Sequence, residues 1–179
     1  MGGVPKGLLR YQGQTVIDRL LSLRALAHHV LLVGDALEAY HPWGLETVSD
    51  AAVGKGAPGG VTAALMAAST PWVWVVACDM PFVTEGVVRR LFEAAPMARG
   101  ACFSCHGRLE PLLGVYAATL GPRWKEQLGE NPSFQALFQG SGVTVLPEAE
   151  LAAIDPGCVS VRSVNTWEDA KAWGLEAPV

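Results

Sequence analysis

Residues 72–78, WVWVVAC, are apolar at every position and run straight into Asp79, Met80 and Pro81. A membrane helix requires roughly 20 apolar residues, so this run is too short to span a bilayer. It reads as a strand with no polar face to give to water, buried in a sheet that helices cover on both sides.

The rest of the chain alternates in the same sense. Val16, Ile17, Leu20, Leu21 and Leu23 lie mostly on one face of a helix, and HVLLVGD follows as a strand ending in a turn. A short helix at ALEAY, a strand at LETVSD and a helix entered through glycines at GGVTAALMAAS lead to the apolar strand. Beyond it, TEGVVRRLFEAA reads as a helix with Thr84 at its N-cap. Strands at GACFSC, PLLGVYA and VTVLP and helices at PRWKEQLG and FQALFQ come next. In the final helix, NTWEDAKAWG, Asn165 or Thr166 supplies the cap and Gly174 the stop. Strand–helix alternation of this kind predicts a parallel, doubly wound α/β sheet. No repeat or linker divides residues 1–179, so one domain is expected.

Half of the residues are apolar and 17% are charged, which is the composition of a folded chain. A net charge of -4 argues against a nucleic-acid binder, yet leaves room for a basic pocket that takes one anionic small molecule. The N-terminus lacks a signal-peptide pattern, and a cytoplasmic protein is expected. Cys102 and Cys105 form a C-x-x-C followed by His106, but no second pair is offered. Residues three apart on a strand point to opposite faces, so Cys78, Cys102, Cys105 and Cys158 read as reduced, incidental cysteines. His28, His29, His41 and His106 read as cap or surface residues.

Ligands of open α/β sheets collect at the carboxyl ends of strands, and three polar signals fall there. The first is Lys6, behind the opening glycines of MGGVPKG, where close backbone approach and a cation suit a phosphate; a frayed terminus is the bland reading. The second is Asp79 in ACDMP, a hard oxygen donor suited to Mg²⁺ or, equally, a turn former. The third is SDAAVGKGAPGGV, in which Asp50 ends a strand and glycines lead into a helix starting near Gly59 or Gly60. Bare backbone there admits a base or a sugar, whereas Lys55 reads as solvated.

Taken in order, these segments resemble the molybdenum cofactor guanylyltransferase (MobA-type) family of nucleotidyltransferases. MGGVPKGLLRYQGQTVIDRLL resembles its R-M-G-x-x-K region, DAAVGKGAPGGVTAAL its D…GPLAGL segment, and VWVVACDMPFV its C-D-x-P strand end. GRLEPLLGVYAATL resembles G-R-x-x-P-L-x-x-L-Y, and SVNTWEDAKAW the terminal N-x-N-T-P-E-E-L. The resemblance implies a three-layer, Rossmann-like nucleotidyltransferase (GT-A-like) fold with a mostly parallel sheet. It also implies transfer of GMP from GTP to molybdopterin cofactor, with release of pyrophosphate. By position, Lys6 and Asp79 would be catalytic, with Asp79 holding Mg²⁺. Lys6, Asp50, Gly56, Gly59 and Gly60 would bind the nucleotide, and Asn165 and Ser163 the pterin. Molybdoenzyme chaperones would be further partners.

The departures are specific. The family's loop starts upstream as L-A-G-G-x-S-x-R-M-G after an inner first strand, whereas this sequence opens at the M-G. Burial of about five aliphatic side chains at roughly 1.5–3 kcal/mol each rivals the stability of a whole domain. A reading frame that starts upstream is therefore expected, the alternative being compensation by a dimer contact or an altered sheet edge. Ser163 stands where the family has an asparagine, and GAPGG replaces GPLAG. Competing functions are a cytidylyl- or sugar-phosphate nucleotidyltransferase, and a cofactor-binding homologue without activity. Mass spectrometry of the endogenous protein should return an intact mass above that of a chain starting at Met1; a mass matching Met1 would end the upstream expectation.

Overall fold

The computed structural model describes residues 3–35, 37–50, 54–129 and 133–178. Met1, Gly2 and residues 51–53 of the glycine-rich segment lie outside the described residues. Strands β1 (Arg10–Tyr11) and β2 (Gln14–Thr15) form a hairpin that leads into α1 (Val16–Leu21). Thr15 caps α1, its hydroxyl accepting from the Asp18 N–H at 3.1 Å. Strands β3 (Leu31–Val33) and β4 (Glu46–Val48) pair in parallel, and α2 (Gly56–Ala67) crosses from β4 to β5 (Trp72–Val76). The second half comprises α3 (Glu85–Ala94), β6 (Gly100–Cys105), β7 (Arg108–Ala117), α4 (Gly121–Gln127), α5 (Phe134–Phe138), β8 (Val143–Leu146), α6 (Glu148–Ile154), α7 (Trp167–Ala172) and β9 (Leu175–Glu176).

Three layers result. The central sheet runs β5-β7-β6-β8. One face buries Met80, Val87, Leu91, Ala101, Phe103, Leu113 and Val115 beneath α3 and α6. The other buries Val61, Leu65, Cys102, Tyr116, Trp124 and Leu137 beneath α2, α4 and α5. Alternation along β6 divides Cys102 from Cys105 between the two faces, as strand geometry requires. Helix α3 shows why the packing is specific, since Val87, Val88, Leu91 and Ala94 all lie on its buried side.

The doubly wound expectation needs one correction. Strand β7 is antiparallel to both β5 and β6, while β6–β8 and β3–β4 are parallel. The two-residue turn at His106 and Gly107 explains the reversal. Both residues have positive φ, 51° and 73°, which joins β6 to β7 as a tight hairpin rather than through a helix. Helix α2 begins at Gly56, ahead of the expected Gly59 or Gly60, because Pro58 is tolerated in a first turn. Helix α6, hairpin β1–β2 and β9 were not expected from the sequence, being short or framed by weak signals. Thr84 occupies the α3 N-cap position without a side-chain cap bond, whereas Thr166 and Asp169 form a full capping box on α7.

Strands β3 and β5 do not pair with each other. Each is the last strand on its side, so among the described residues each leaves one edge without a partner. The two edges face one groove of about 760 Å³, lined along its length by Leu31–Val33 and by Trp72–Val76. Among the described residues, no helix is long and apolar enough to cross a membrane.

Trp124 is fully buried between the rings of Tyr116 and Phe138, at centroid distances of 5.4 and 5.8 Å, and among the described residues its Nε1 has no hydrogen-bond partner. Trp124→Ala should cost about 3–5 kcal/mol, whereas Trp124→Phe keeps much of the packing and removes the unpaired N–H, so it should cost distinctly less. Urea unfolding of the two variants checks this ordering.

Candidate functional site

Two backbone devices fix Asp79 at the end of the apolar strand. The N–H of Met80 returns to the carbonyl of Ala77 at 3.2 Å, and the carbonyl of Asp79 accepts from the N–H of Val164 at 2.9 Å. The second bond draws the C-terminal segment over the carboxyl end of β5. Arg19 of α1 adds a third tie, its Nε donating to the carbonyl of Pro81 at 3.0 Å.

Lys6 arrives at the same point from the N-terminal segment. Its Nζ donates to Asp79 Oδ2 at 2.9 Å and to Asn165 Oδ1 at 2.8 Å. Residues 6, 79 and 165 therefore meet although 73 and 159 positions separate Lys6 from its two partners. The pair is only partly screened from solvent, with side-chain exposures of 33% for Lys6 and 19% for Asp79. An ammonium has three donors, and these bonds use two of them, so the third is available to a further anion.

The Lys6 segment is held by packing and by an uncharged hydrogen bond. The Gly7 N–H donates to the Tyr40 hydroxyl at 3.2 Å. A Cβ on Gly7 would lie 2.8 Å from Tyr40 Cε1 and Oη, so only glycine allows this approach. Burial raises the Tyr40 hydroxyl above its ordinary pKa, with Cys78 and Asp79 adding to the rise, and it stays a neutral donor and acceptor. Asn165 is oriented by its own Nδ2, which donates to the Ser163 carbonyl at 3.2 Å, and by Asp169, whose Oδ2 accepts from the N–H groups of Asn165 and Thr166. Those N–H bonds, that of Thr166 first, hold the Asp169 carboxyl below its usual range.

The other expected residues stand around the groove. Asp50, Gly56 and Gly60 line it together with Gly34 and Cys78, the latter adjacent to Asp79. Asp50 packs against Gly60, where an added Cβ would lie 3.1 Å from its Oδ1. Burial, and then the neighbouring Asp35, push the Asp50 carboxyl above its ordinary value. Asp50 makes no direct contact with the Lys6–Asp79–Asn165 cluster among the described hydrogen bonds. Gly59 is buried inside α2 and is not among the groove's lining residues. Ser163 enters the site through its carbonyl. Sequence reasoning missed Tyr40, which carried no motif, and the direct bond between Asn165 and Lys6.

The model of the MobA-like NTP transferase domain matches residues 1–147. A molybdenum cofactor guanylyltransferase from Pseudomonas paraeruginosa is 32% identical over 172 residues, spanning 91% of this chain and 84% of that protein. The crystal structure of molybdopterin-guanine dinucleotide biosynthesis protein A from Archaeoglobus fulgidus superposes with a TM-score of 0.79 at 23% identity, covering 96% of this chain and 90% of that one. That of 2-C-methyl-D-erythritol 4-phosphate cytidylyltransferase from Thermus thermophilus gives 0.68 at 22% identity, covering 94% and 92%.

Gly7→Ala forces the new methyl group onto the Tyr40 ring and should lower stability by about 1–3 kcal/mol. Chemical denaturation measures this; an unchanged midpoint would mean that Tyr40 moves aside without cost.

Proposed function

The chain belongs to the MobA-like NTP transferase domain family, and from that premise we propose that it transfers GMP from GTP to molybdopterin cofactor, releasing pyrophosphate. The carrying observation is the meeting of Lys6, Asp79 and Asn165 at the carboxyl end of β5, next to the groove that Asp50, Gly56 and Gly60 line. In the proposed reaction a terminal phosphate oxygen of the pterin bonds to the α-phosphorus of GTP as the bond to the β-phosphate bridge breaks. Both reactants are anions, so the protein's work is to align them and to neutralise charge, and alignment alone is worth roughly 7–11 kcal/mol.

Lys6 meets the phosphates with its remaining donor. Asp79 is a solvent-accessible carboxylate with one oxygen on Lys6, a hard donor that fits Mg²⁺ alongside substrate phosphates and water. Such an ion, when bound, supplies charge neutralisation on the phosphate oxygens. Asn165 and the Ser163 carbonyl face the pterin side, and Asp50 with the bare backbone of Gly56 and Gly60 takes the nucleoside.

A second reading has its own observation, the two unpartnered strand edges across the groove. Helix α2 connects β4 to β5. An apolar strand of about five residues laid between β3 and β5 would complete both backbone ladders. On this reading the 1–179 chain binds nucleotide or pterin but transfers slowly until such a strand is joined ahead of Met1. Guanylyl-transfer assays of the two forms separate the readings. Activity present only in the extended form favours the second, equal activity favours the first, and inertness of both alongside pterin binding makes the protein a carrier.

Asp79→Ala should reduce turnover more than Lys6→Ala, since both variants lose the Lys6–Asp79 bond but only the first also loses the proposed metal ligand. Wild-type turnover in Asp79→Ala would refute the proposed metal role. For base preference, GTP at 100 times its Kd should stabilise the protein by about 2.7 kcal/mol in the presence of Mg²⁺. An equal gain with CTP at the same nucleotide concentration would support the cytidylyl alternative.

A further inference from the structure

A second set of metal-ligating side chains lies at the far end of the β6–β7 hairpin, outside the site described above. Cys105 ends β6, His106 opens the turn and Glu148 begins α6, and their ligand atoms all lie within 4.8 Å of one another. The carboxylate is already oriented. Glu148 Oε2 accepts from the His106 backbone N–H at 2.6 Å, while Oε1 stands 3.5 Å from His106 Nδ1. Cys105 forms the buried wall of the cluster and belongs with Cys158 to one core cluster. His106 is open to solvent, which provides an entry path.

We propose that Cys105, His106 and Glu148 bind one zinc ion. A thiolate, an imidazole and a carboxylate form a donor set suited to a borderline-soft divalent cation rather than to Mg²⁺. Tetrahedral Zn²⁺ holds such ligands roughly 3.3–3.8 Å apart, so a contraction of about an ångström closes the site. The exposed His106 side chain is free to make it. Three protein ligands leave the fourth position to water. Glu110 adds negative charge nearby, since it interacts with both His106 and Cys105. The C-x-x-C spacing contributes nothing here, because Cys102 lies on the opposite face of the sheet. The ion would join the hairpin turn to the start of α6. A plain His106–Glu148 ion pair is the competing explanation, and it gives Cys105 no part.

The test titrates the full reduced chain with Zn²⁺ in competition with a chromophoric chelator, and separately with Co²⁺ alone. The expected result is one Zn²⁺ per chain, and a Co²⁺ complex with a sulfur-to-metal charge-transfer band in the near ultraviolet. His106→Ala and Glu148→Gln should each weaken zinc binding by at least about tenfold, since loss even of an outer-shell partner costs that much. Cys105→Ser should abolish the band, and Asp79→Ala should leave both signals in place. Absence of the band in the unaltered chain overturns the proposal, as does zinc affinity of wild-type strength in His106→Ala. That variant decides the matter if Cys105→Ser, altered in the core, does not fold. Loss of the single bound Zn²⁺ in Asp79→Ala would assign the ion to the other site and likewise overturn the proposal.

Discussion

The fold depends on how an apolar strand packed on both faces satisfies its backbone. Strand β5 packs half-buried side chains against both core clusters, Trp72, Trp74 and Val76 on one face and Val73 and Val75 on the other, so its N–H and C=O groups look to the sheet for partners. Along one edge β7 does this, matching Trp72–Val76 with Ala117–Leu113 in an unbroken antiparallel register. The same ten-residue strand pairs with β6 on its other side, with a register shift between Cys102 and Phe103. Its alternating side chains feed both core clusters, Leu113 and Val115 one way and Tyr116 the other. Remove β7 and both layers lose their floor. On the opposite edge of β5 the same demand goes unmet by the described strands, which is why the groove lies there and is walled by apolar side chains.

Period and composition made most of this architecture legible. The apolar run at 72–78, the amphipathic 85–94 stretch and the Thr166 cap became β5, α3 and the start of α7. Strand direction was harder to read. Alternation of strands and helices favours parallel pairing, and the expected strands left a five-residue gap at 106–110, of which the structure gives only His106 and Gly107 to the turn. Gly107 has the turn chemistry, but a histidine with φ of 51° is an uncommon choice for its partner position and masked the signal. The short elements escaped because a two-residue strand such as β1 has no period to detect; it forms by pairing with β9, which no local window contains.

At the site, residue chemistry was more legible than residue contact. Lys6 and Asp79 were readable as a cation and a carboxylate at the ends of elements, and the structure joins them directly. Asn165 was readable as a candidate helix cap and as part of a terminal motif assigned to the pterin, yet it is also the second acceptor of Lys6. That bond follows from the Val164 N–H reaching the Asp79 carbonyl, a main-chain contact that side-chain identities do not encode. Tyr40 was illegible for the opposite reason. Its role rests on the missing side chain of Gly7, and a close approach between two segments leaves no mark in either taken alone.

These contacts also decide what the Lys6–Asp79 pair contributes. Solvent reaches both partners, and pairs of this kind are worth about 0–1 kcal/mol. The loop therefore does not depend on its charge for its position. The Tyr40 hydroxyl and the packing of Val4 and Leu9 with Val16, Val76 and Phe82 hold it. A side chain positioned by its neighbours and only weakly committed to its ion pair can exchange partners at small cost when a more highly charged anion arrives. A fully buried pair would resist, because separating it strands a charge at a cost of about 3–5 kcal/mol. Partial exposure thus leaves Lys6 able to exchange its present partners for a more highly charged anion in a chain whose net charge is -4.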